Sequence, residues 1–447
     1  MKLYWNIPWL VLATSVVGVF IAPARADDWP QWQGPQRDGI WREMGIVDAI
    51  ADSRLPVKWR MPIGGGYSGP AVADGRVYVM DYQRQTGNAT KESGQRDALQ
   101  EDERVICFDA ETGSEIWRHT YNCSYSISYA CGPRATPTVD DGHVYTLGAE
   151  GYLRCLDAAT GELVWSSVMK ENSAVKTPGW GFASHPLIHG QHLITLKVRA
   201  ENQGSVVCLD KSNGEEVWEH EFPFEIGYCP ASSVSIGGVQ QILVWHAGAV
   251  EGIDPGTGEP MWSFPLKPDS GMAIAAPQLA GSTVFASARK TTGAVFDVEQ
   301  SAGGFTTQLK WTGDKDLGLF CANVTPYIEG GVVYGVDHAP GWLTAARLSD
   351  GQRLWTTYEP TTGARRARHA TAFLVRHEDR TFLFNEAGDL ILARLTPEGY
   401  EEIGRAHILE PTGVAFGRSV VWSHPAFADR CLFARNDCEI VCVSLAE

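Results

Sequence analysis

An all-β fold is predicted: an eight-bladed β-propeller of four-stranded blades, its ring closed by strands from both ends of the chain. Three observations predict it, namely a repeated phrase, its even spacing, and incomplete strand sets at the two termini. The phrase ends in Trp and reads DAETGSEIW at Trp117, DAATGELVW at Trp165, DKSNGEEVW at Trp218, DPGTGEPMW at Trp262 and, shortened, LSDGQRLW at Trp355. In each copy a Gly precedes the Trp by four residues. Trp59 and Trp311 stand at the same phase without the turn, and Ile403 takes the Trp position after Gly399, so eight markers recur 44 to 58 residues apart. A repeat of this length marks a unit that buries its faces only against its neighbours.

Within a unit, short alternating and β-branched runs such as HVYTL, VVYGV and YLRCLD read as strands, four per repeat. The Thr-Gly or Asn-Gly element is a tight turn in which Gly supplies the positive φ. Trp then has the area to reach from one sheet onto the next. Four-stranded sheets at this period form propellers. The C-terminal unit offers only three strands, SHPAFA, RCLFAR and EIVCVSL, whereas LPVKWRM near the N-terminus is a Trp strand with nothing before it. Joined, they complete an eighth blade and remove two sheet edges.

Three segments follow along the chain. Residues 1–26 read as an export signal, with Lys2, an apolar run from Trp9 to Ile21, and Ala24-Arg25-Ala26 as the cleavage site. An uncleaved anchor is disfavoured because the run is short and edged by Pro8 and Pro23. Cleavage would start the mature protein at Asp27, in the periplasm or outside the cell, with no transmembrane segment and no lipidated Cys. Residues 27–54 form a leading segment, and 55–447 the propeller, with a polar insertion at 82–103 expected to be a surface loop. The formal charge of −16 deepens by two when Lys2 and Arg25 are removed, which argues against nucleic acid and anionic membrane as partners.

On the Trp-docking turns the chain resembles the pyrroloquinoline-quinone (PQQ) repeat superfamily, which includes quinoprotein alcohol dehydrogenases and BamB-type outer-membrane assembly factors. The leading segment WPQWQGPQRDGIW is also similar to that of such dehydrogenases and of secreted PQQ-repeat proteins of planctomycete-type bacteria. The resemblance implies fold more than activity. The adjacent Cys-Cys pair typical of the dehydrogenases is missing, as are a C-x-x-C-H haem motif and the lipoprotein Cys of BamB.

Aligning the first strand of each unit on its Pro position places small residues two positions earlier: Ser68, Ala135, Ser184, Ala231, Ala275, Val324, Ala370 and Ser423. These should be packed between blades. On the opposite face, one and three positions before the Pro, stand Tyr67, Arg134, Thr136, His185, Ser232, Asn323, Thr325, His369, Thr371, Trp422 and His424. This variety suits the mouth of a central funnel, either as a ligand site or as a solvated rim. Arg134 is the leading candidate to hold a carboxylate ligand, followed by Arg368. Trp180, Phe182 and Tyr228 offer rings for stacking, or a plug. His185, His369 and His424 come from separate blades and would be bases or metal ligands only if the funnel gathers them.

Two functions are therefore expected. One is an envelope scaffold that binds a small molecule or a protein at its funnel face. The other, implied by the resemblance, is a PQQ- and calcium-dependent dehydrogenase of an alcohol or sugar, with Arg134, Asn323, Arg368, Trp422, Trp180, His185 and His424 around the cofactor, and Asp337 or His369 as base. The funnel set holds no acid, and the turn acids Asp81, Glu150, Asp337, Glu386 and Asp437 read as solvated. Among the cysteines, Cys107, Cys155, Cys208 and Cys442 share one repeat position. Disulfides are expected between Cys123 and Cys131 and, across a two-residue hairpin, between Cys431 and Cys442.

Overall fold

A computed structural model describes residues 1–2, 27–86 and 95–447. The export signal therefore lies outside the described residues, apart from Met1 and Lys2. Eight four-stranded antiparallel sheets form eight blades. In chain order the first seven span 71–127, 138–168, 187–222, 232–265, 278–312, 327–357 and 372–407. Blade eight combines Ala426–Ala428, Cys431–Arg435 and Glu439–Ser444 with Val57–Pro62, which pairs antiparallel to the last of these. Among the described residues the helical structure is two single 3₁₀ turns, Ala51–Ser53 and Asp269–Gly271. No described helix is long and apolar enough to cross a membrane.

Each blade is a meander whose first strand lies innermost, where it touches the first strands of neighbouring blades. The eight small residues preceding these strands are all at most 3% exposed, as close packing between blades requires. Outer strands carry the docking Trp. Trp117 donates from Nε1 to Ala158 O (3.0 Å) in the next blade and lies flat on Gly161 (φ 74°), where a Cβ would come within 2.5 Å of its ring. Trp59, Trp165, Trp218, Trp311 and Trp355 reach the next blade's turn in the same way. The turn Asp sets this up: Asp109 Oδ1 accepts from the Thr112 N–H and hydroxyl, both at 2.8 Å. Trp262 differs. Blade five lacks the turn, and Trp262 bonds instead to Gln241 of its own blade (2.6 Å).

The structure differs from expectation in four places. The described residues of the 82–103 insertion are largely strand, because Arg76–Thr86 and Asp97–Asp109 extend the blade-one hairpin. An extra hairpin, Gly413–Ala415 with Arg418–Val420, precedes blade eight. The last ladder pair of the C-terminal hairpin is Arg435 with Ile440, enclosing four residues, so Cys431 pairs with Ser444 and Cys442 with Phe433, and the two thiols meet as diagonal neighbours through a side-chain hydrogen bond rather than directly across the ladder. Both carry free thiols. The bridge between Cys123 and Cys131 is not formed either: Cys123 keeps a free thiol buried among Tyr82, Tyr121 and Tyr125, while Cys131 packs on Gly65. Cys107, Cys155, Cys208 and Cys442 each sit opposite the docking Trp of their blade, which explains their shared position.

Candidate functional site

The leading segment lies across one end of the ring. Trp29 bridges to Val72 of blade one, Pro30 O accepts from Val139 of blade two, and Arg37 donates to His185 O and Pro186 O before blade three. Ile40 then bridges to Arg376 of blade seven. Trp32, only 3% exposed, is thereby set on the axis, stacked on His185 (5.0 Å, 10°) and edge-on to His424 (6.1 Å). It forms the floor of a cavity of about 690 Å³ that opens at the other end. This volume suits a small-molecule ligand.

All eight inter-blade connections contribute to the wall. Of the sequence candidates, Tyr67, Arg134, His185, Asn323, Thr325, His369, Trp422 and His424 line the cavity, joined by Arg368, Trp180 and Tyr228. Thr136, Ser232 and Thr371 do not line it, and Phe182 packs on Gly151 instead. The cations at the wall are Arg134, Arg289, Lys290 and Arg368, and among the described residues no Asp or Glu lines it. In a chain of formal charge −16 this is a concentrated reversal of sign.

The cations are not equivalent. Arg134 donates to its own loop, to the carbonyls of Ser128 (2.9 Å), Tyr129 (2.6 Å) and Gly132, with its guanidinium 5.3 Å from the Tyr67 ring. Arg289 and Lys290 pair with Asp269 at 3.1 and 2.6 Å. The exposed Arg368 guanidinium makes no hydrogen bond or ion pair with a described residue.

The histidines are held neutral. Burial lowers His185 well below the usual imidazole range, His424 to about 3, and His338 and His369 to about 4, helped at His369 by neighbouring His338 and Arg289. Thr136 N–H donates to His185 Nδ1 (2.8 Å), which leaves the His185 proton on Nε2. His369, Phe416 and Trp422 continue as a run of rings, with His369 and Phe416 parallel at 5.2 Å.

The wall is also conformationally unusual. Tyr129, Lys290, His369 and Phe416 all have left-handed backbones, with φ of 51°, 61°, 54° and 50°. Bulky residues rarely adopt this region, and each such position costs about 1–3 kcal/mol.

The turn acids are internally engaged rather than solvated, four of them buried and Asp437 half-buried. Asp81 pairs with Arg104, Glu150 with Lys170 and Thr177, and Glu386 with Arg418. Asp437 accepts from Gly66 N–H. Asp337 accepts from Phe320 and Ala339 N–H, and burial raises it to about 6. It sits in an adjoining hollow of about 640 Å³ that shares Lys290, His338 and Ala339 with the funnel. The described residues contain no group of three or more His, Cys, Asp or Glu side chains placed to hold a metal. Among the described residues no Asp or Glu lines the funnel, so the carboxylate oxygens that calcium sites draw on are not offered at its wall.

Reading by strand position found the inner wall. It missed Trp32, Arg289, Lys290, His338 and Phe416. The first lies in the WPQWQGP segment, and the next three occupy the same inter-strand turns as Asp337, so a scan of those turns for cations and His would have found them. Phe416 belongs to the extra hairpin.

Comparisons with known proteins agree with this architecture. A model of the PQQ_2 family, described as outer membrane protein assembly factor BamB, matches residues 101–357. BamB from Kangiella koreensis is 24% identical over 121 residues, which is 26% of this chain and 27% of that protein. BamB from Moraxella catarrhalis superposes with a TM-score of 0.56 at 16% identity, over 88% of this chain and 98% of that one. Quinohemoprotein alcohol dehydrogenase from Comamonas testosteroni gives 0.60 at 14% identity, over 94% and 80%. At these identities the solved structures share the fold alone. With a family match over more than half its length, the chain belongs to the PQQ_2 family of BamB-like, PQQ-repeat propellers.

Proposed function

We propose that this protein is a binding propeller of the cell envelope, periplasmic or secreted, whose blind funnel takes a planar anionic small molecule without chemistry of its own. The observation that carries the reading is the wall itself, with four cations, a run of aromatic rings and no carboxylate among its described residues. Planar rings stack on Trp and His faces, and carboxylates find guanidinium partners. The four left-handed residues support it, since such strain concentrates at ligand sites.

A second reading, a PQQ- and calcium-dependent dehydrogenase of an alcohol or sugar, is favoured by the cavity's size and charge, which suit a planar tricarboxylate such as PQQ. Its calcium does not fit the residues present, because Asp81, Glu150, Glu386 and Asp437 are committed to internal partners and Asp337 faces a separate hollow. Asn323 is bonded to Thr371 and His369. Membership of an assembly-factor family supports an envelope protein as a further partner at the same face.

A dye-reduction assay on a panel of alcohols and sugars, with PQQ and calcium added, separates the two readings. No turnover is expected, and turnover lost on Asp337→Asn would establish the dehydrogenase instead.

A further inference from the structure

The hydrogen bonds around His369 fix which of its nitrogens faces the cavity with a lone pair. Thr371 Oγ1 donates to His369 O (3.1 Å), which uses its one proton. It must then accept from Asn323 Nδ2 (3.3 Å), and this orients the amide. Asn323 Oδ1 is left as the acceptor facing His369 Nδ1 (3.2 Å), so Nδ1 carries the proton. In the neutral ring Nε2 is therefore an unprotonated acceptor, and no described residue hydrogen-bonds to it. Phe416 stacked on one face of the ring and the left-handed backbone of His369 itself fix its orientation.

Arg368 precedes His369 in sequence and lines the same wall. A cation for a carboxylate and a bare nitrogen lone pair for a donor thus stand side by side. Opposite them, at the floor, His185 Nε2–H offers a donor.

We infer that His369 Nε2 is a specificity-determining acceptor, and that the funnel selects aromatic or heteroaromatic acids carrying a ring O–H or N–H donor over otherwise equal acids without one. This rests on the reading of the funnel as a site for planar anions. The donor would stay on the ligand, so the step is recognition and not proton transfer.

The test compares 4-hydroxy-2-naphthoate, whose hydroxyl stands clear of its own carboxylate, with 2-naphthoate, titrated separately into the purified full-length protein. The hydroxylated probe is expected to bind about two- to tenfold more tightly, the range for one neutral hydrogen bond. His369→Asn keeps a residue that tolerates the left-handed backbone but removes Nε2. It should abolish that ratio, weakening the hydroxylated probe more than 2-naphthoate, which loses only the stacking face of the imidazole. Equal binding of the two probes by the native protein, which needs no variant to fold, would overturn this inference and leave the funnel reading standing. Failure of both probes to bind would overturn both. Equal weakening of both by His369→Asn would show that the residue merely shapes the wall.

Discussion

Arg134 and Arg368 have the same chemistry and opposite situations. Arg134 spends its N–H groups on Ser128, Tyr129 and Gly132, so it clamps the loop that carries Tyr129 to the rim. Its replacement by Gln should cost about 1–3 kcal/mol of stability, the range for losing charged hydrogen bonds to buried carbonyls. Arg368 has no such duty. Arg368→Gln should leave the urea midpoint unchanged and weaken a planar anionic probe about tenfold, more at low salt than at high. The titrating residues give a second prediction. His338, His369 and His424 have folded pKa values below that of free imidazole, so the unfolded chain binds more protons between about pH 4 and 6.5. Their contribution is fully present above pH 6.5 and is lost as pH falls through that window. Asp337 is raised to about 6, so its contribution is present below about pH 4 and is lost as pH rises through 6. Urea midpoints measured from pH 4 to 7 should therefore climb less steeply in His369→Asn and more steeply in Asp337→Asn than in the native protein.

At the scale of the blade, stability is carried by repeated Trp joints. Trp117→Ala should cost about 3–5 kcal/mol, as expected for a large buried ring. Gly161→Ala should also destabilise, because it faces both the Trp117 ring and a φ of 74°. Chemical denaturation of both variants checks this. These joints were legible in the sequence because one phrase carries both halves, a Gly that receives the preceding blade's Trp and, four residues on, the Trp that docks on the next blade, two residue types that few positions otherwise demand. The inner strands were legible through their small residues for the same reason. Other features left no such trace. The long blade-one strands read as a loop because the Gln, Arg, Glu and Asp that fill this stretch leave no apolar alternation in the sequence. The Cys431 register was misread because loop length, four residues rather than two, is set by how Asn436 Oδ1 accepts from Cys438 and Glu439 N–H. The turn acids read as solvated because nothing in a single repeat shows the cation or N–H that another segment brings to them.

Over the whole molecule, the funnel is where every blade meets every other. Each inter-blade connection places a side chain at its wall, and the leading segment seals it by tying blades one, two, three and seven across the axis. A ligand there would bridge the ring, so a hundredfold excess over its dissociation constant should stabilise the fold by about 2.7 kcal/mol, seen as a rise in melting temperature. Trp32→Ala should blunt that rise, because it removes the floor on which His185 stacks. The most direct test of the funnel as an anion site is calorimetric titration of the purified protein with the planar tricarboxylate PQQ, with and without calcium. Saturable one-to-one binding is expected at an anion site of this kind, unchanged by calcium and weakened by Arg368→Gln. Binding that appears only with calcium, or none at all, would contradict it.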